Sequence, residues 1–96
     1  MLQSRFIDLN DYAPEDLIFK NIQGATMSIS TTGNPTITIK GEHAKTSSYA
    51  LAAINMSTLG KATQIEGEGM FLVPILGADR IELEVSGTGT IYIKEM

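Results

Sequence analysis

Hydrophobic and polar residues alternate along most of this chain. Ala25, Met27 and Ile29 alternate with Thr26, Ser28 and Ser30, and Ile37 and Ile39 alternate with Thr36, Thr38 and Lys40. A period of two places successive side chains on opposite faces, so each segment predicts a strand with one buried face. Between them lies Thr32-Gly33-Asn34-Pro35, a cluster of turn formers of hairpin-loop length. The pattern recurs near the C-terminus. Ile81, Leu83 and Val85 alternate with Glu82, Glu84 and Ser86, then Gly87-Thr88-Gly89 intervenes, and Ile91 and Ile93 alternate with Thr90, Tyr92 and Lys94. Two antiparallel hairpins are predicted.

The other segments are shorter. Residues 5–9 read as a strand or extended arm, and 17–22 form a second apolar run closed by Gln23-Gly24. Residues 41–48 are polar and predict a loop, 49–56 predict a strand, and 62–66 predict a short strand set between turns. Residues 70–76 are apolar on both parities, so that strand is either covered on both sides or presents one side to a partner. Pro74 has no N–H to give to a ladder, which assigns this strand to an edge or a bulge. An edge strand with an apolar outer face is a subunit contact, so Met70, Phe71 and Leu72 are candidate interface residues. Tyr92 joins them because it shares the outward parity of Lys94. About seven or eight short strands at about ten-residue spacing predict an all-β fold. The expected form is a single antiparallel β-sandwich, jelly-roll or immunoglobulin-like. No long amphipathic helical period competes with it.

Length and composition narrow the role. A chain of 96 residues supports one core, here read as a sandwich over 25–96 with 1–24 as an arm or extra strands. Its net charge is −4 and its seven basic residues are scattered, which argues against nucleic acid as a partner. There is no cysteine, so neither disulfides nor thiolate metal sites contribute. No apolar run approaches the ~20 residues that cross a bilayer, and the first residues lack the pattern of a secretory signal. Synthesis in the cytoplasm is the expectation, and the Asn55-Met56-Ser57 sequon is then accidental.

Candidate chemistry is sparse. His43 is the only histidine and stands in a polar stretch beside Glu42 and Lys45, without partners for a triad or a zinc site. Glu66 and Glu68, and Glu82 and Glu84, are spaced to share a strand face, which suits a solvated outer face better than an acid–base pair. Gly67-Glu68-Gly69 and Gly87-Thr88-Gly89 lack the third glycine and following helix of a phosphate loop and read as turns. No catalytic residue, cofactor site or metal site is expected. Outward Tyr92 beside Lys94 leaves a surface glycan as an alternative ligand, although the chain has no tryptophan.

The order of these pieces resembles a small β-sandwich module of structural proteins of tailed bacteriophages. The resemblance runs through residues 25–30, Thr36 to Glu42, Tyr49, Ala53-Ile54-Asn55-Met56-Ser57, Gly69-Met70-Phe71-Leu72-Val73-Pro74 and the segment from Gly77 to Ile93, about three quarters of the chain. The chain departs from the family in two places. Glu42-His43-Ala44-Lys45 and Tyr49 stand where members carry a Ser-x-Asp-Gly turn and a tryptophan, and Glu82 and Glu84 stand where they tend to have arginines. The resemblance implies a non-enzymatic virion component: a capsid decoration or head-fibre-base protein, or alternatively a tail or baseplate element. It also implies a homo-oligomer, with a trimer among the arrangements, and a contact to another virion protein such as the major capsid protein.

Overall fold

Neither predicted hairpin is a hairpin. In the computed structural model, which describes residues 2–43 and 47–96, the two alternating segments near the N-terminus form one continuous strand, β3 (Thr26–His43). The two near the C-terminus form another, β9 (Arg80–Glu95). The pair runs antiparallel along almost its whole length, from Met27 opposite Glu95 to Glu42 opposite Arg80. Seven shorter strands complete the set among the described residues. They are β1 (Ser4–Asp8), β2 (Ile18–Lys20), β4 (Ser47–Ala50), β5 (Ala53–Asn55), β6 (Lys61–Ala62), β7 (Gln64–Glu66) and β8 (Gly69–Pro74). The expected all-β antiparallel fold is present, built as one hydrogen-bonded sheet around two long strands instead of from short strands alone.

The two predicted turn segments lie opposite each other. Gly33 pairs with Gly89, Asn34 with Thr88 and Pro35 with Gly87. Gly33, Gly87 and Gly89 have φ of 82°, 87° and 125°, the region that side-chain-bearing residues avoid. A Cβ on Gly89 would run into the Thr32 carbonyl oxygen, and one on Gly87 into that of Asn34. The glycines therefore let two backbones bend together at close approach without breaking the ladder.

Alternation keeps its phase through this bend. Met27, Ile29, Ile37 and Ile39 of β3 are buried, as are Ile81, Leu83, Ile91 and Ile93 of β9. Side chains from both halves meet in one core with Ile7, Phe19, Leu51, Ile65, Phe71 and Val73. Burying each such side chain contributes about 1.5–3 kcal/mol, so the closure of the bent ribbon on itself is a main source of stability. Beyond the bend, one half has the strand order β1-β9-β3-β8-β5-β6. In the other half β2 lies on the outer edge of β9, and β7 and β4 lie on β3.

Other expectations shift in detail. The predicted strand over 49–56 is divided at Leu51, whose side chain is buried and whose N–H donates to the Ile39 carbonyl at 2.8 Å. That over 62–66 is divided between β6 and β7. Of the loop predicted over 41–48, residues 41–43 belong to β3 and Ser47 and Ser48 to β4, while 44–46 lie outside the described residues. β8 is not an edge strand, because β3 pairs on one side of it and β5 on the other. Pro74 fits because it ends the strand, opposite Thr26.

Residues 2–24 add to the sheet and are held by two charged side chains. Arg5 lies 4.1 Å above the Phe19 ring and donates to the carbonyls of Glu15 (3.2 Å), Asp16 (3.0 Å) and Ile18 (2.5 Å). It thereby fixes the 3-10 turn Pro14–Leu17, which Pro14 starts and the Asp16 carboxylate steadies by accepting from the Ala13 N–H. Glu95, 1% exposed, accepts from the backbone N–H groups of Gln3 (3.0 Å), Gln23 (2.8 Å) and Gly24 (2.8 Å). Burial pushes its carboxyl up, but the three N–H donors outweigh burial and hold it below the usual carboxylate value.

Candidate interface face

With odd-numbered residues of the long strands buried, even-numbered ones point outward, and the two halves of the ribbon present different outer faces. On the half carrying β2, β4 and β7, the outward positions include Lys20, Lys40, Glu42, Glu66, Arg80, Glu82 and Glu84. Many of these neutralise one another. Arg80 donates to Glu42 at 2.7 Å and to Glu82 at 3.2 Å, and Lys40 pairs with Glu84, whose carboxylate raises the lysine above its usual value. Glu66 and Glu68 are exposed. The acidic pairs of the sequence thus belong to a charged, solvated surface.

The half carrying β1, β8 and β5 differs. The register lines up Phe6, Tyr92, Ser30 and Met70 across β1, β9, β3 and β8, and the Met56 N–H donates to the Met70 carbonyl at 3.0 Å, which brings Met56 to the end of the row. Phe6 is 67% exposed, Met70 55%, Met56 47% and Tyr92 44%. The next row holds Ser4, Lys94, Ser28, Leu72 and Ile54, and a third holds Met96, Thr26 and Pro74. The second row continues past Ile54 to Lys61 of β6, so its charged side chains are Lys94 and Lys61, while the other two rows as named carry none. Lys61 aside, eight of the thirteen positions named are apolar or aromatic, on either side of a column formed by Thr26, Ser28 and Ser30, and an exposed grouping of this kind suits contact with a partner.

Of the candidate interface residues, Met70, Leu72 and Tyr92 share this face, with Leu72 half-buried. Phe71 does not. Its side chain is 6% exposed and packs in the core, because its odd parity turns it inward between β3 and β5. Phe6 and Met56 were not selected from sequence. The signal for Phe6 was its place between inward-facing Arg5 and Ile7 in an alternating strand, but residue parity could not be set before that strand was paired.

The remaining polar groups form no competing site. His43 is exposed at the end of β3, opposite Ser47. The side chain of Asn55 accepts from the N–H groups of Ser57 (2.8 Å) and Thr58 (3.2 Å), closing the turn after β5. A cleft of about 500 Å³ lined by Lys20, Asn21, Glu42, Asp79 and Arg80 holds the Arg80–Glu42 ion pair. Among the described residues no cluster of three or more histidines and carboxylates is placed to hold a metal ion, and no helix is long and apolar enough to cross a membrane.

No protein-family model matches the sequence, and no curated protein matches it. The fold is found in solved structures. The SPBc2 prophage-derived protein YomS superposes with a TM-score of 0.68 at 15% identity, covering 98% of this chain and 91% of YomS. The PBSX exported protein XepA superposes with a TM-score of 0.70 at 14% identity, covering 97% of this chain and 37% of XepA. The chain is thus similar in fold to about nine-tenths of the first and to a little over a third of the second.

Proposed function

We propose that this chain is a non-enzymatic structural component of a bacteriophage particle, a capsid decoration or head-fibre-base protein that assembles as a homo-oligomer and binds another virion protein. The observation that carries the reading is the fold shared with YomS over nearly all of both chains, YomS being prophage-derived. The uncovered apolar face supports the assembly part, since it gives the molecule a surface suited to protein contact. A tail or baseplate position serves the same chemistry.

The test is fractionation of a phage lysate. The reading expects the protein to sediment with particles and to remain there after a high-salt wash, and heads separated from tails then tell decoration from a tail position. Protein found only in the particle-free supernatant overturns virion residence and favours an exported product, as XepA is described. A second reading, glycan binding, draws on Phe6 and Tyr92, which stand side by side in register and offer an aromatic surface. Glycan-array binding that disappears in Tyr92→Ala supports it, and an empty array removes it.

A further inference from the structure

The apolar face has a shape as well as a composition. Along β3 its outward side chains are the small Thr26, Ser28 and Ser30, all half-buried, so they floor a shallow groove. On one side of the groove stand Tyr92 and Lys94 of β9, and on the other Met70 and Leu72 of β8. A ridge and a groove therefore lie side by side, one strand spacing of about 4.8 Å apart.

We propose that this face packs on the same face of a second copy of the chain, through a two-fold axis that runs along the strands midway between β3 and β8. The inference rests on the homo-oligomeric part of the proposed function and names its surface. Such an axis sets the β8 ridge of each copy into the β3 groove of the other, Met70 over Ser30 and Leu72 over Ser28. It also sets Tyr92 over Met56 and the aliphatic stem of Lys94 over Ile54, and puts Lys61 of β6 opposite Ser4 at the sheet edge, one row from Phe6 and within reach of a cation–π pairing with it. Every contact occurs twice, as a two-fold requires. The strands of the two sheets remain roughly aligned, as in ordinary face-to-face packing.

Three observations favour a second copy as the occupant. The groove and the ridge that fills it are on the same molecule at the spacing a two-fold needs. The charges permit it: Glu42, Glu66, Glu82 and Glu84 lie on the other half, which the contact leaves outermost, and Asp8 is the acidic side chain at the rim, one row beyond Phe6. The two Lys94 ammonium groups stand three strand spacings, about 15 Å, apart, beyond the ~10 Å screening length of 0.1 M salt. Like charge approaches where Lys94 of one copy lies over Ile54 beside the other copy's Lys61, at the sheet edge, where both long side chains reach solvent. The area also suffices. Five strands by three rows cover on the order of 500 Å² per copy, about 1,000 Å² in total, at the threshold of a specific interface.

The experiment is charge exchange across the contact, read by sedimentation velocity. Met70→Lys and Ser30→Asp each place a charge opposite an uncharged partner, so each raises the dimer dissociation constant about tenfold or more. Mixed in equal amounts, the two variants recover dimer, because Met70→Lys of one copy then faces Ser30→Asp of the other. Gln64→Lys, on the charged face, leaves assembly unchanged, and far-UV circular dichroism verifies the fold of all three. Variants that assemble like the parent, or a mixture that stays monomeric, overturn the proposal. Particles that retain Met70→Lys with its self-association intact overturn this inference and spare the functional reading. Dimers that obey the exchange but stay out of particles do the reverse.

Discussion

Replacing Glu95 by glutamine changes one oxygen to an amide group at a site where both carboxylate oxygens accept from backbone. Oε1 takes the N–H groups of Gln23 and Gly24, and Oε2 takes that of Gln3. Hydrogen bonds to a charged group contribute about 1.5–3 kcal/mol each and neutral ones about 0.5–1.5. The amide oxygen can keep the first two bonds in their weaker form, a loss of about 1 kcal/mol apiece, but its NH₂ meets the Gln3 N–H donor to donor. Relief of the buried charge returns part of this, leaving a net destabilisation of about 2–4 kcal/mol. For a domain of this size that lowers the melting temperature by roughly 10–25 °C. The pH dependence separates this mechanism from a general packing defect. The folded carboxyl lies below its usual value of 4.5, so its contribution is fully present above that pH and is lost as pH falls through the folded value. Urea unfolding at pH 7 and at pH 3 is the assay: the gap between parent and Glu95→Gln narrows in acid. A variant within about 0.5 kcal/mol of the parent at pH 7, or a gap indifferent to acid, refutes the reasoning.

Three further outcomes follow from the geometry. Gly89→Ala costs about 3 kcal/mol or more in chemical denaturation, because its φ and the Thr32 carbonyl both oppose a side chain, whereas Gly67→Ala, with positive φ but open space, costs about 1–2 kcal/mol. Phe71→Ala loses about 3–5 kcal/mol as a core truncation, while adjacent Met70→Ala leaves the melting temperature nearly unchanged and weakens self-association. Arg5→Met loses three carbonyl bonds and the Phe19 stacking, so it destabilises by about 1–3 kcal/mol and speeds amide exchange in residues 14–18.

The strands were legible in the sequence because burial on one face of a sheet imposes a two-residue period, and that period is local. The connection between them was not. Gly33-Asn34 and Gly87-Thr88-Gly89 have the chemistry of positive φ, which a hairpin turn and a bend in a continuous strand demand equally. Only the pairing of residues 56 positions apart, Gly33 with Gly89, decides between the two. The same long-range information moved β8 from the edge to the interior and Phe71 from the candidate surface to the core. The apolar outer side of residues 70–76 was visible as an anomaly of parity, but Phe6 and Met56 joined it only once the register was known. Glu95 left a fainter trace: a charged residue at the parity of Ile91 and Ile93, where continued alternation calls for an apolar one.

The most direct test of the account is the mass of the unmodified protein in solution as a function of concentration. Light scattering from about 1 μM to about 1 mM spans the range in which a contact of about 1,000 Å² forms. Self-association through the Met70–Tyr92 face predicts a weight-average mass that rises from the 10.4 kDa of one chain toward at least twice that value. A mass fixed at 10.4 kDa throughout contradicts it.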